Sequence, residues 1–110
     1  MNAVLFVDHP VAIIGAGPVG LAAAARLVER GLHPVLFEKG DRVGAAMLEW
    51  GHVRVFSPWD YNVDEAARQL LAAEGMTVPS GTHLPTGAEI VGEYLEPLSR
   101  VPAIARGLRL

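Results

Sequence analysis

No cysteine occurs among the 110 residues. A disulfide framework, a thiolate metal centre and a cysteine redox pair are therefore excluded within them. Aromatic residues are few, at 6%, and the nine Lys and Arg are scattered rather than clustered. Without a basic stripe to meet a phosphate backbone, no nucleic-acid partner is expected. Long apolar runs are missing too. The uncharged run over residues 11–25 has 15 residues, among them three glycines and a proline, whereas a spanning helix needs about 20 apolar residues. No membrane partner is expected. The first ten residues carry no Lys or Arg ahead of a short apolar stretch, which Asp8 ends; they do not read as a targeting signal. The expected compartment is the cytoplasm. His9, His33, His52 and His83 lack metal-ligand spacing, so no metal is expected.

What is present is 51% hydrophobic with a net charge of −3. That composition excludes intrinsic disorder, and the length suits one small domain with a core. Residues 11–14 form an apolar run and predict a strand buried on both faces, as in a parallel sheet. Residues 4–7 extend it or lead into it. A helix is predicted over residues 18–30, with Gly20 and Ala24 one turn apart, Arg26, Glu29 and Arg30 facing water, and Gly31 as its stop. "HPVLFE", residues 33–38, is the next strand. Strand, helix, strand at this spacing predicts a parallel, right-handed crossover. Residues 39–62 read mostly as loop, with an extended piece at 53–56. Residues 64–74 predict a helix capped by Asn62 or Asp64 and stopped by Gly75. Residues 76–85 are loop. "TGAE", residues 86–89, has capping-box spacing and opens a helix to about Leu98, which Pro97 should bend or end. "ARGLRL" follows as a polar turn and the start of a strand.

Between the first strand and the first helix stand Gly15, Gly17 and Gly20, spaced G-x-G-x-x-G. In a dinucleotide site the first permits a tight turn, the second lets a pyrophosphate approach the backbone, and the third lets the helix pack on the strand. The helix N-terminus offers free N–H groups and a partial positive charge to phosphates. Glu38 closes the second strand, 23 residues after Gly15. An acid there can accept hydrogen bonds from a ribose diol and would repel a 2′-phosphate.

The run G15-A-G-P-V-G20, then Ala24, Gly31 and Glu38, resembles the FAD-binding start of two-dinucleotide flavoproteins. "EKGDRVGA" continues the likeness: five residues follow the acid and then comes Gly44; Ala45 stands where such proteins commonly have a second glycine. "HVRVFSP", then "LPTGAEIVGEYLEPL" and a short strand, is similar to flavin-containing monooxygenase-like bacterial flavoproteins. The resemblance implies an α/β fold, a partial Rossmann-like FAD-binding domain over residues 1–110. Residues 1–46 would be its dinucleotide-binding βαβ unit; residues 47–110 would be loop and helices leading to a truncated strand. It implies FAD as cofactor, NAD(P)H as co-substrate, and Gly15, Gly17, Pro18, Val19, Gly20, Glu38, Lys39, Gly44 and Ala45 as cofactor-binding residues. Such proteins carry a second G-x-G-x-x-G domain; none is found here, so missing C-terminal domains are expected and the isolated chain is expected to be inactive.

In that family the region holding Trp50, His52, Arg54, Trp59 and Tyr61 approaches the flavin ring and substrate. The plainer reading is loop packing. Asp64 and Glu65 read as helix-start charges, Ser57 and Ser80 lack a nucleophile-elbow setting, and no catalytic residue or substrate is assigned. An NAD-dependent dehydrogenase fragment, a non-catalytic nucleotide-binding module and an inactive remnant remain alternatives.

Overall fold

The computed structural model of the protein describes residues 10–110; residues 4–7 and His9 lie outside the described residues. β1 (Pro10–Ile14) and β2 (His33–Phe37) pair in parallel, with Ala12 beside Val35 and Ile14 beside Phe37. Between them runs α1 (Pro18–Glu29). Pro18 occupies its first turn, where a missing N–H costs nothing. Gly31, at φ +77°, ends it through a turn in which the Gly31 and Leu32 N–H groups donate to Val28 and Leu27 carbonyls. β3 (Leu108–Arg109) joins β2 on its other side, also in parallel, giving the sheet order β1-β2-β3.

The segment expected to be mostly loop contains two single-turn helices, α2 (Ala45–Leu48) and α3 (Trp59–Asn62). Of the extended piece at 53–56 there remains one antiparallel bridge, between Arg54 and Thr86. α4 (Glu65–Ala73) begins as expected: the Asp64 carboxylate accepts from the Ala67 N–H at 3.1 Å. It also holds Arg26 of α1 at 2.8 Å. Burial pushes the Asp64 carboxyl up, but the Arg26 and Ala67 hydrogen bonds outweigh it and leave it below its ordinary value. α5 (Gly87–Ile90) opens on a reciprocal cap, Glu89 N–H to Thr86 Oγ1 at 3.1 Å and Thr86 N–H to Glu89 Oε1 at 2.7 Å. It passes through a π turn (Val91–Leu95) into α6 (Glu96–Ser99). Pro97 therefore does not end the helix. Its ring would meet the Glu93 carbonyl in regular α geometry; the wider turn just before it supplies the room. α7 (Pro102–Ala105), absent from the sequence reading, starts on extended Val101 with proline at its first position.

Leu21, Ala24 and Ala25 of α1, Leu36 of β2, Ala67 and Leu71 of α4, and Tyr94, Leu95, Leu98 and Ile104 beyond them are buried in one core. The helices lie on one face of the sheet. Burial of β1 on both faces is corrected accordingly: Ile14 is 84% exposed, and Phe37 beside it is 47% exposed. Strand order follows chain order, so successive crossovers step in the same direction and lay their helices on the same side. Side chains alternate along a strand, which turns Ala12, Ile14, Val35 and Phe37 to the side the helices leave bare. No helix among the described residues is long and apolar enough to cross a membrane.

Candidate functional site

The turn from β1 into α1 gives its three glycines three different jobs. Gly15 sits at φ +100°, a conformation L side chains rarely adopt. A Cβ on Gly20 would stand 2.1 Å from the Gly15 carbonyl oxygen, so only glycine lets α1 start this close to the strand. A Cβ on Gly17 would meet nothing within 4 Å. Gly17 caps α1, whose N-terminus receives no side-chain hydrogen bond. The N–H groups of this first turn and the positive end of the helix dipole thus face open space, the arrangement that suits phosphate oxygens.

Ala16, between the first two glycines, is fixed from both sides. Its N–H donates to Glu38 Oε1 at 2.8 Å, and its carbonyl accepts from the Gly44 N–H at 2.9 Å. The other Glu38 oxygen, Oε2, accepts from the Gly40 N–H at 2.8 Å. The Ala16 hydrogen bond, then that of Gly40, holds the Glu38 carboxyl below its ordinary value, with Lys39 adding to the effect against a smaller opposing cost of burial. Gly44 lies at φ +68°, where an added Cβ would come within 2.7 Å of Val91 Cγ2 in the π turn. Ala45, the departure from a glycine pair, begins α2. Its methyl occupies the place a side chain on Gly40 would need, 2.5 Å from a Cβ built there, so the pair has in effect a small residue at each facing position.

A cavity of about 570 Å³ opens at the carboxyl ends of the three strands, lined by Ile14, Gly15, Phe37, Glu38, Lys39, Arg109 and Leu110. Ligands of open α/β sheets bind outside such strand ends. A second, of about 340 Å³, runs along the glycine turn past Gly17, Pro18, Val19 and Gly20. A third, of about 380 Å³, joins Glu38, Lys39 and Gly40 to Ala45, Ala46 and Glu49. Eight of the nine residues marked in the sequence line these adjoining hollows; Gly44 lines none of them and reaches the turn only through its N–H, which donates to the Ala16 carbonyl. Arg109 and Leu110 escaped the sequence reading, although the register of β3, with Arg109 beside Phe37, is the signal that places them there.

The other candidates do not join this group. Trp59 is 2% exposed and packs in the core. Trp50 lies over Gly87, whose added Cβ would come within 2.9 Å of its ring. Arg54 donates to the Leu84 carbonyl, sits 3.4 Å from His83 Nε2 and faces Glu89. His52 and Tyr61 are exposed. Ser57 donates to Asn62 Oδ1 at 3.0 Å, a local loop contact. Asp64 and Glu65 serve as helix-start charges, as expected. Among the described residues no group of three or more His, Asp or Glu could hold a metal ion.

Residues 13–77 match the family described as NAD(P)-binding Rossmann-like domain. The chain is 34% identical over 97 residues to glutamate synthase (NADH) of Schizosaccharomyces pombe, covering 88% of this chain and 4% of that protein. It is 48% identical over 40 residues to 4,4'-diapophytoene desaturase (4,4'-diaponeurosporene-forming) of Staphylococcus haemolyticus, covering 36% of this chain and 8% of that one. Its fold matches the crystal structure of OTEMO in complex with FAD and NADP, with a TM-score of 0.58 and 18% identity, over 89% of this chain and 18% of that one. The chain spans less than a fifth of each of these proteins.

Proposed function

The chain belongs to the NAD(P)-binding Rossmann-like domain family, and from that premise we propose that it holds the adenosine diphosphate half of FAD in an oxidoreductase. The observation that carries this reading is the glycine turn. It faces open space at Gly17, presents a helix N-terminus that no side chain caps, and lies beside a strand-end cavity bordered by Glu38. The pyrophosphate would lie against Gly17, Val19 and Gly20. The ribose would approach Glu38, and the adenine would rest among Ile14, Phe37 and Leu110. Lys39 and Arg109 border the same cavity and would favour an anionic ligand. Gly44 supports the turn from behind through its N–H, and Ala45 lines the hollow beside Glu38 and Lys39.

A bound flavin supplies the redox chemistry; this chain's residues bind and orient. The finer reading is monooxygenase-like, with NAD(P)H as reductant. It is supported by the likeness in fold to a protein crystallised with FAD and NADP, and by the segments after Gly44. The varied names among the relatives, a synthase and a desaturase, fit a shared binding segment that does not itself choose the reaction. Within the described segment, residues 10–46 would form the binding unit and residues 47–110 would pack beside it. No residue here is assigned to the flavin ring, nicotinamide or substrate.

Calorimetric titration of the chain tests the reading. ADP and FAD should compete for one site, and NADP should bind there more weakly because Glu38 opposes a 2′-phosphate. Tight NAD binding with indifference to FAD would instead favour the dehydrogenase alternative.

A further inference from the structure

We propose that Glu38 is a positioning residue that sets the shape of the glycine turn before any nucleotide arrives, by bridging the backbone N–H groups of Ala16 and Gly40. The inference rests on the nucleotide site proposed above, but concerns a different act from contact with ribose. Each carboxylate oxygen already accepts one backbone N–H at 2.8 Å. A ribose diol can use only the acceptor capacity that remains.

The need for such a clasp follows from the sequence of the turn. Ala16 lies between two glycines, the residues with most backbone freedom to lose. Disorder in the empty turn would be paid for at each binding event as ordering entropy. Gly15 is tied to β2 through its N–H, which donates to the Phe37 carbonyl at 2.8 Å, and the Gly17 carbonyl accepts from the Leu21 N–H within α1. Ala16, between them, is held on both sides by groups that follow β2: Glu38 at its N–H, the Gly44 N–H at its carbonyl. The grip reaches across 22 residues, from the end of β2 back to the end of β1. It thereby couples the segment after β2, through Gly40, to the phosphate turn. Lys39 and Arg109 at the strand ends and Glu49 across the adjoining cavity are the charged neighbours that share these hollows.

Two ligands separate the roles. Glu38→Gln keeps the size of the side chain but turns one acceptor into a donor that faces a backbone N–H. Affinities of wild type and variant are measured for ADP and for 2′,3′-dideoxy-ADP, which lacks the diol. Positioning predicts that the variant loses both ligands by a similar factor, roughly tenfold, as for a broken charge-assisted hydrogen bond. Unchanged affinity for the dideoxy ligand, with loss confined to ADP, would overturn the proposal in favour of ribose contact alone. Amide hydrogen exchange in the ligand-free chain gives an independent decision: Ala16 and Gly40 should exchange faster in Glu38→Gln, while amides in α4 should not. Equal exchange at both would also overturn it. Should Glu38→Gln fail to fold, Glu38→Asp, which keeps the charge but cannot reach both groups, is read by the same measurements. Failure of wild type to bind either nucleotide would sink the proposed function, while the exchange result still decides the clasp.

Discussion

Gly17 and Gly20 are three positions apart, yet they should answer the same substitution in opposite ways. Gly20→Ala drives a methyl to 2.1 Å from the Gly15 carbonyl oxygen. It should destabilise the chain by about 1–3 kcal/mol, read from the urea midpoint. Gly17→Ala points a methyl into open space. It should cost about 0.5–1 kcal/mol in stability, roughly the preference for glycine over alanine at a helix cap. It should nevertheless weaken ADP binding by roughly tenfold, about 1.4 kcal/mol, because the methyl stands where the pyrophosphate must approach. A Gly17→Ala variant that binds as wild type would displace the phosphate from this turn. Glu38 gives a second measurement, in pH. Its folded carboxyl titrates below the ordinary value of 4.5. The stability it contributes is therefore fully present above that ordinary value and is lost as pH falls through the lower folded one. The difference in unfolding free energy between wild type and Glu38→Gln should shrink from about pH 7 to about pH 3. Asp64 and Glu89, also held low, contribute to acid sensitivity in both proteins and cancel in that difference. A difference that stays constant across the range would contradict the assignment.

Between elements, the contact that most constrains the site is the π turn against Gly44. Gly44→Ala combines a strained φ of +68° with a Cβ only 2.7 Å from Val91 Cγ2, and should cost about 2 kcal/mol or more. Val91 is itself buried, so Val91→Ala carries a cavity cost of its own, and the steric part is read from urea unfolding of both single variants and the double variant: Gly44→Ala should cost less in the Val91→Ala background than in wild type. An equal cost in both backgrounds would mean that Val91 is not the obstacle. How far such relations are legible in the sequence depends on their range. β1, α1 and β2 follow from local signals: a buried-type apolar run, a proline and a glycine at the helix ends, a second run. α4 follows from Asp64 and Gly75 in the same way. The helix opened by Thr86 was legible, but the π turn within it was not, because it reflects how Pro97 and Gly44 are accommodated together. α2, α3 and α7 have four residues each, too few for a periodic pattern to declare itself. The glycines of the site were legible from spacing alone. The grip of Glu38 on Ala16 was not, since the two meet only once both strands are paired. The exposure of β1 was misjudged because its residues suit a doubly covered strand, and the covering depends on where later elements go.

For the molecule as a whole, the bare sheet face is the dominant fact. Ile14 at 84% and Phe37 at 47% exposure stand side by side on it, and parallel sheets are normally covered on both faces. The chain should therefore associate with itself as its concentration rises. Sedimentation velocity over a concentration series measures this, and Ile14→Lys should shift the distribution toward monomer. A wild-type chain that stays monomeric throughout would show that this face is tolerated in water. The order of the sheet has a consequence of another kind. Because β1, β2 and β3 lie side by side in the order of the chain, β2 and β3 each leave the ribosome to find a partner already made, and none of the three described strands has to be inserted between the other two. Vectorial synthesis can thus extend these three strands from one edge, with the glycine turn and its Glu38 clasp assembled as soon as β2 is paired, before the residues of β3 have been translated.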